Sequence, residues 1–260
     1  MSFFAGVDVG SSAAKAVVID DQARELGRGL SPSGADLSGS ARRCFAAACR
    51  QAGIAEAEVE RIVACGFGRD NVDFAHQRRT EIDCHARGAY HHLPRAITVV
   101  DIGGQDNKVI RIDENGRRLN FTMNRKCAAG TGAFLEEVAL RLKVPLDKLA
   151  ELAGQATDPS VRIGSFCTVF AMTEILSRIR AGVRVEDLAR AALESVARRV
   201  LEVQSISGQV VATGGVMAHQ PLMREILSQQ LQAEVFVPPH AQYVGALGAA
   251  LVAGAGAQDQ

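Results

Sequence analysis

The chain of 260 residues contains no tryptophan, only two tyrosines and no excess of charge of either sign. Its 29 basic residues balance 29 acidic ones, so nothing predicts a general attraction to nucleic acid or anionic lipid. No apolar run approaches the roughly 20 residues that span a bilayer. The N-terminus lacks the basic region of a signal peptide. We therefore expect a cytoplasmic protein.

Cysteine is present but scattered, which argues against a small disulfide scaffold. In a reducing compartment such thiols are buried, bind metal or act in catalysis. None of the first four has the compact spacing of a metal site, and no zinc-like partners accompany Cys84 and His85. The six positions are Cys44, Cys49, Cys65, Cys84, Cys127 and Cys167.

The chain lacks both common nucleotide signatures, the P-loop and the dinucleotide-binding glycine turn. It has instead two strands that end in Asp-x-Gly, in Asp8-Val9-Gly10 and Asp101-Ile102-Gly103, about a hundred residues apart. Each is followed by a second strand, so each pattern predicts a hairpin. A third glycine turn, Thr213-Gly214-Gly215, follows another apolar strand.

The duplicated hairpins predict an α/β protein with two lobes and a ligand held between them. We expect one lobe over 1–95, completed by the C-terminal helix 244–260, and a second lobe over 96–243. Strands are predicted within 5–8, 15–19, 61–65, 96–104, 108–112 and 210–213. Helices are predicted within 41–53, 81–90, 131–143, 147–153, 168–181, 185–204 and 244–253.

The turn residues have the chemistry of a nucleotide site. Glycines let the backbone approach phosphate oxygens, and a carboxylate can hold Mg²⁺ through water. A single such turn is ordinary hairpin chemistry; three in this order favour ATP. We expect Asp8 and Asp101 to orient Mg²⁺ and water, Gln105 to position the attacking water and Lys15 to face phosphate. The expected cofactor-binding residues are Gly10, Ser11, Ser12, Lys15, Gly103, Gly104, Gly130, Gly132, Thr213, Gly214 and Gly215.

Two cysteines each precede a predicted helix, in Cys127-Ala-Ala-Gly-Thr-Gly and Ser165-Phe166-Cys167-Thr168. A thiolate at a helix N-terminus is stabilised by the helix dipole, and N–H donors tune an iron–sulfur cluster. A [4Fe–4S] cluster takes four cysteines, so two subunits that each give Cys127 and Cys167 could share one. The alternative is that both are buried, inert thiols.

The three glycine turns resemble those of the sugar kinase, Hsp70 and actin superfamily, which implies an actin-like, ribonuclease H-like two-lobed ATPase fold. Over residues 6 to about 253 the chain also resembles the ATPase activators of 2-hydroxyacyl-CoA dehydratases and the ATPase subunits of benzoyl-CoA reductases. The motifs that carry this resemblance include both cysteine motifs, Gly66-Phe67-Gly68-Arg69, Glu81-Ile82-Asp83-Cys84-His85-Ala86 and Gly245-Ala246-Leu247-Gly248.

The resemblance implies a dimer with one interface [4Fe–4S] cluster held by Cys127 and Cys167 of each subunit. Ferredoxin or flavodoxin would reduce it, and ATP hydrolysis would drive one electron to an iron–sulfur enzyme that acts on a CoA thioester. Three positions depart from the family pattern. Met172 stands where an acidic residue is common, His219 replaces an asparagine, and Phe67 replaces a tyrosine.

Other functions fit parts of the pattern. Within the resemblance, the chain is either a homodimeric dehydratase activator or a benzoyl-CoA reductase subunit paired with a paralogue. A small-molecule kinase of the same fold would use Asp101 as its base and bind no iron. An actin-like scaffold would polymerise with nucleotide and also bind no iron.

Overall fold

The computed structural model describes residues 1–124, 130–164 and 167–258. The chain folds into two compact units. Unit 1 comprises residues 1–97, 110–120 and 242–260, and unit 2 comprises 98–109 and 121–241. Across the described ranges, no helix combines the length and the apolar content needed to cross a membrane.

The first sheet has five strands in the order β3-β2-β1-β4-β5. The first three strands are antiparallel neighbours, whereas β4 pairs parallel with β1 and β5 pairs parallel with β4. The predicted opening hairpin is therefore correct. The strands are β1 (Phe3–Val9), β2 (Ala13–Asp20), β3 (Glu25–Pro32), β4 (Val59–Cys65) and β5 (Gln77–Arg78).

The second sheet repeats this arrangement, with the order β8-β7-β6-β9-β10. Strand β9 pairs parallel with β6, as β4 does with β1, and β10 pairs parallel with β9. Each sheet therefore places a parallel strand beside the strand that ends in Asp-x-Gly. The strands are β6 (Ile97–Ile102), β7 (Asn107–Ile112), β8 (Arg118–Asn124), β9 (Val210–Thr213) and β10 (Val235–Phe236).

Helices pack on both sheets and supply most of the apolar core. Unit 1 has an apolar cluster between β1, β2, β4 and the first helix, and a second cluster beneath the last helix. Unit 2 has one larger cluster. The helices are α1 (Leu37–Ala52), α2 (Glu81–His92), α3 (Gly132–Leu142), α4 (Leu149–Ala153), α5 (Thr168–Arg180), α6 (Val185–Val203), α7 (Gly215–His219), α8 (Leu222–Leu231) and α9 (Val244–Gln258).

The predicted α/β fold class is confirmed, and six elements of the described residues were missing from the prediction. No counterpart was predicted for strands β3, β5, β8 and β10 or for helices α7 and α8. Strand β3 contains Gly27 and Gly29, which weaken a strand pattern. Glycine is required at both positions, because any side chain would collide with α1. A Cβ at Gly29 would lie 1.8 Å from the carbonyl oxygen of Cys44, and one at Gly27 would lie 2.2 Å from that of Ala48.

Candidate functional site

The first acidic turn joins β1 to β2. Asp8 is the next-to-last residue of β1, and the antiparallel register places Lys15 opposite it. Lys15 Nζ lies 3.3 Å from Asp8 Oδ2, and the carboxylate is buried. The Gly10 N–H donates to the carbonyl of Ala13 at 3.1 Å, which closes a tight turn. The predicted Asp8 and Lys15 are thus brought together.

The second acidic turn repeats this pairing between β6 and β7. Lys108 Nζ lies 3.1 Å from Asp101 Oδ2 and 2.8 Å from Asp106 Oδ1. The hydroxyl of Thr213, on the parallel neighbour β9, donates to Asp101 Oδ1 at 2.8 Å. Lys108 was not among the predicted site residues. Its signal was in the sequence, because Lys108 follows Asp101 at the same spacing at which Lys15 follows Asp8.

A glycine with positive φ backs each carboxylate. Gly66, directly after β4, has φ of 89°, and Gly214, directly after β9, has φ of 98°. A Cβ at Gly66 would lie 2.4 Å from Asp8 Oδ1, and one at Gly214 would lie 3.0 Å from Asp101 Oδ1. Only glycine fits this conformation and this approach. The turn at Gly214 is therefore the structural counterpart of the turn at Gly66.

The β6–β7 turn exposes its tip. The Gly103 N–H donates to the carbonyl of Asp106 at 2.9 Å, and Gln105 lies exposed between them. In the β1–β2 turn Ser12 is likewise exposed and Ser11 is half-buried. The polar tips of both turns thus face solvent, where a phosphate group can reach their backbone.

The start of α3 is hydrogen-bonded to the β6–β7 turn. The Gly132 N–H donates to the carbonyl of Gly103 at 2.9 Å, so that N–H already has a protein acceptor. The next amide, Ala133, donates to Gly104 at 2.8 Å. Asn107 Nδ2 at the start of β7 donates to the carbonyl of Gly130 at 3.1 Å. Gly130 and Gly132 thus tie α3 to the acidic turn.

Only one of the two predicted cluster ligands lies within the described residues. Cys127 lies outside the described residues. Cys167 is exposed and is the N-cap residue of α5, with extended backbone. Glu174 Oε2, in the second turn of α5, accepts the Gly164 N–H at 3.0 Å and thereby fixes the chain shortly before Cys167.

The surroundings of Cys167 suit a shared metal group. A thiolate at the start of a 13-residue helix is close to the positive end of the helix dipole. Val169 and Phe170, in the first turn of α5, are 70% and 68% exposed. A helix start that combines an exposed thiol with exposed apolar side chains fits a cluster covered by a second chain.

The other four cysteines are buried in unit 1. Burial is the main reason that the pKa of Cys44 is raised to about 12 and that of Cys49 to about 11. A hydrogen bond with Cys84, followed by burial, raises the pKa of Cys65 well above its usual range. Thiols held protonated in this way are poor nucleophiles and poor metal ligands.

The three departures from the family pattern lie in different surroundings. Met172 is buried in the apolar cluster of unit 2, so an apolar side chain suits that position. His219, at the end of α7, and Phe67, after β4, are exposed. None of the three side chains forms part of the two acid–lysine pairs.

The whole chain is similar to proteins of known role. It is 41% identical over 256 residues to the activator of lactoyl-CoA dehydratase of Anaerotignum propionicum. That alignment covers 97% of this chain and 98% of that protein. It is 29% identical over 263 residues to a subunit of the benzoyl-CoA reductase of Thauera aromatica, covering 96% and 93%.

Two solved structures of dehydratase activators are also similar to this chain. Component A of the (R)-2-hydroxyglutaryl-CoA dehydratase of Acidaminococcus fermentans superposes with a TM-score of 0.93 at 40% identity, covering 99% of this chain and all of that one. The 2-hydroxyisocaproyl-CoA dehydratase activator of Clostridium difficile, with bound ADPNP, gives a TM-score of 0.92 at 35% identity, covering 99% and 96%. The BadF/BadG/BcrA/BcrD ATPase family profile matches residues 5–253, and the chain belongs to this family.

Proposed function

We propose that this protein is an ATP-hydrolysing electron activator of a 2-hydroxyacyl-CoA dehydratase. The observation that carries the proposal is the hydrogen-bonded connection in unit 2 between an acidic turn and α3, the helix that follows Cys127. The greater identity to the lactoyl-CoA dehydratase activator than to the reductase subunit supports the dehydratase as partner. The alternative partner is a benzoyl-CoA reductase.

ATP is proposed to bind at the acidic turns with Mg²⁺. The buried carboxylates of Asp8 and Asp101 are each fixed by a lysine, and such carboxylates suit a hydrated Mg²⁺. Gln105, which is exposed at the turn, is proposed to orient the attacking water. The phosphates are proposed to meet the backbone of residues 10–12 and 103–104. The glycine turn at 213–215 is proposed to border the nucleoside.

The two lobes of this ATPase are proposed to be 1–95 with 244–260, and 96–243. In the second lobe the carbonyls of Gly103 and Gly104 accept N–H groups from the start of α3. A shift of the turn when nucleotide binds or is cleaved would therefore move α3 and the segment before it. We propose that this turn belongs to a two-state element that links nucleotide state to the helix that follows Cys127.

Cys127 and Cys167 are proposed to ligate a cluster shared by two subunits. Such a [4Fe–4S] cluster supplies one electron at low potential. The dipole of α5 favours negative charge at Cys167, and the exposed apolar side chains beside it favour a covered dimer interface. The dimer is either a homodimer or a heterodimer with a paralogue. Ferredoxin or flavodoxin is the proposed donor, and the proposed location is cytoplasmic.

Anaerobic purification with iron and sulfide counting, and EPR of the dithionite-reduced protein, tests this proposal. We expect about four irons per dimer, lost in Cys127→Ser and in Cys167→Ser. Cys44→Ser, a change at a buried thiol, is the matched control and should keep its iron. ATP binding without iron under strict anaerobiosis would overturn the electron-transfer role and favour a kinase of the same fold.

A further inference from the structure

The two acidic turns differ in one contact. In unit 2, Asp101 pairs in register with Thr213 of β9, whose hydroxyl donates to its carboxylate at 2.8 Å. In unit 1, Asp8 pairs in register with Cys65 of β4. The Cys65 thiol is directed to the carbonyl of Gly245 instead, at 3.6 Å. The strand position that supplies a hydroxyl donor to Asp101 therefore holds a thiol turned elsewhere in unit 1.

A buried histidine lies near the Asp8 carboxylate. His85 Nε2 lies 2.7 Å, and Asp8 Oδ2 lies 3.1 Å, from the point where a Cβ on Gly245 would stand. Both groups thus crowd over the same glycine, at the first turn of α9. An imidazole N–H at such a site is a donor that a carboxylate can use. His85 is only 6% exposed.

The packing of two helices fixes the position of this histidine. Thr80 caps α2 by accepting the Asp83 N–H, which sets where the helix begins. Helix α2 then approaches α9 closely, because a Cβ at Gly248 would lie 1.7 Å from the carbonyl of Cys84, and one at Gly88 would lie 2.1 Å from that of Val244. Because neither glycine carries a side chain, the two helices come this close, and His85 of α2 lies beside Gly245 of α9.

We propose that His85 is a positioning residue for Asp8, doing for the first acidic turn what Thr213 does for the second. It acts through Asp8, by holding the carboxylate in the orientation that receives the Mg²⁺ of Mg·ATP. The inference rests on the proposed ATPase function. It also assigns a role to His85 within the Glu81–Ala86 motif, for which a zinc-like role found no support in the sequence.

The test compares His85→Leu, which removes the donor at similar volume, with His85→Gln, which keeps an N–H group at similar reach. The probe is Mn²⁺ with ADPNP, followed by EPR of the free ion, alongside KM and kcat for ATP hydrolysis. We expect His85→Leu to weaken Mn²⁺ binding about 10-fold and His85→Gln to restore most of it, the usual size for a group that orients a metal ligand. The control is His91→Leu, at an exposed position of the same helix.

A rescue sharpens the experiment. Adding Cys65→Thr to His85→Leu places a hydroxyl where unit 2 has Thr213, and we expect it to recover part of the lost Mn²⁺ affinity. Should His85→Leu fail to fold, Gly245→Ala keeps the imidazole but adds a methyl group that would lie 2.7 Å from His85 Nε2 and 3.1 Å from Asp8 Oδ2, and the same loss is expected.

The outcomes separate the two proposals. Wild-type Mn²⁺ affinity in a folded His85→Leu or Gly245→Ala variant, with an active wild-type ATPase, would overturn the role of His85 alone. Absence of ATP hydrolysis in the iron-loaded wild type would overturn the proposed function instead. Equal losses of Mn²⁺ affinity in His85→Leu and His85→Gln, with lowered thermal stability in both, would show that His85 contributes only packing and would overturn its positioning role.

Discussion

Lys108 Nζ lies 3.1 Å from Asp101 Oδ2, and both side chains are almost completely buried. The same ammonium group also lies 2.8 Å from Asp106 Oδ1. A charge taken out of water is costly unless a counter-charge and hydrogen bonds accompany it. Lys108 is therefore needed for the folded turn itself.

Lys108→Met should destabilise the protein by about 3–5 kcal/mol, because it leaves the buried Asp101 carboxylate without its cation. Urea unfolding followed by circular dichroism measures this change. Lys148→Met, which breaks an exposed ion pair with Glu151, is the control and should leave the midpoint unchanged. A Lys108→Met variant as stable as wild type would contradict the argument, whereas recovery in Lys108→Met with Asp101→Asn would support it.

Alanine at either backing glycine should abolish ATP hydrolysis. Gly66 and Gly214 both have positive φ, and an added Cβ would meet the carboxylate and backbone behind it. Gly34→Ala is the matched control, since Gly34 also has positive φ but has open space around its Cβ position. It should cost about 1–2 kcal/mol, from the backbone conformation alone. Melting temperatures and ATPase rates of the three variants decide the matter; equal behaviour would refute the steric reason.

Alkylation should distinguish the thiols. In iron-free protein at pH 8, iodoacetamide should modify the exposed Cys167 and spare the buried Cys44 and Cys49, as peptide mass spectrometry can show. The folded-state pKa values of about 12 for Cys44 and about 11 for Cys49 lie above the usual 9.0. The stability that these protonated thiols contribute is therefore complete below pH 9 and lost as pH rises through 11 to 12. Rapid labelling of Cys44 at pH 8 in folded protein would contradict this.

Much of the fold was predictable because its signals are local. Strands β1 and β6, whose next-to-last residues are Asp8 and Asp101, are each followed by a glycine turn, and α5 and α6 have clear helical spacing. Strand β3 was missed because Gly27 and Gly29 lower strand propensity, and the reason for them is a close approach of α1 that no local pattern reveals. Strand β8, with exposed Leu119 and Phe121, has no buried face to mark it.

The site was predictable in its charges but not in its contacts. Asp8, Lys15 and Asp101 were predicted from motifs, and the pairing of Lys15 with Asp8 follows from hairpin register. The bond from Thr213 to Asp101 joins residues 112 positions apart, so only the parallel pairing of β9 with β6 creates it. The proximity of His85 to Asp8 likewise depends on helix packing. The ligand role of Cys127 stays a prediction.

Phe170→Ser should weaken the proposed dimer without destabilising the subunit. Phe170 is 68% exposed in the first turn of α5, so its removal leaves the core intact, whereas burial in a dimer would contribute about 1.5–3 kcal/mol. Sedimentation velocity of iron-loaded protein should show that the dissociation constant of the dimer is roughly 10- to 100-fold higher than in wild type. Phe67→Ser, at a phenylalanine that is 71% exposed in unit 1, is the matched control and should remain dimeric. If both variants stay equally dimeric, the exposed start of α5 is not where two subunits meet, and the shared cluster would need another interface.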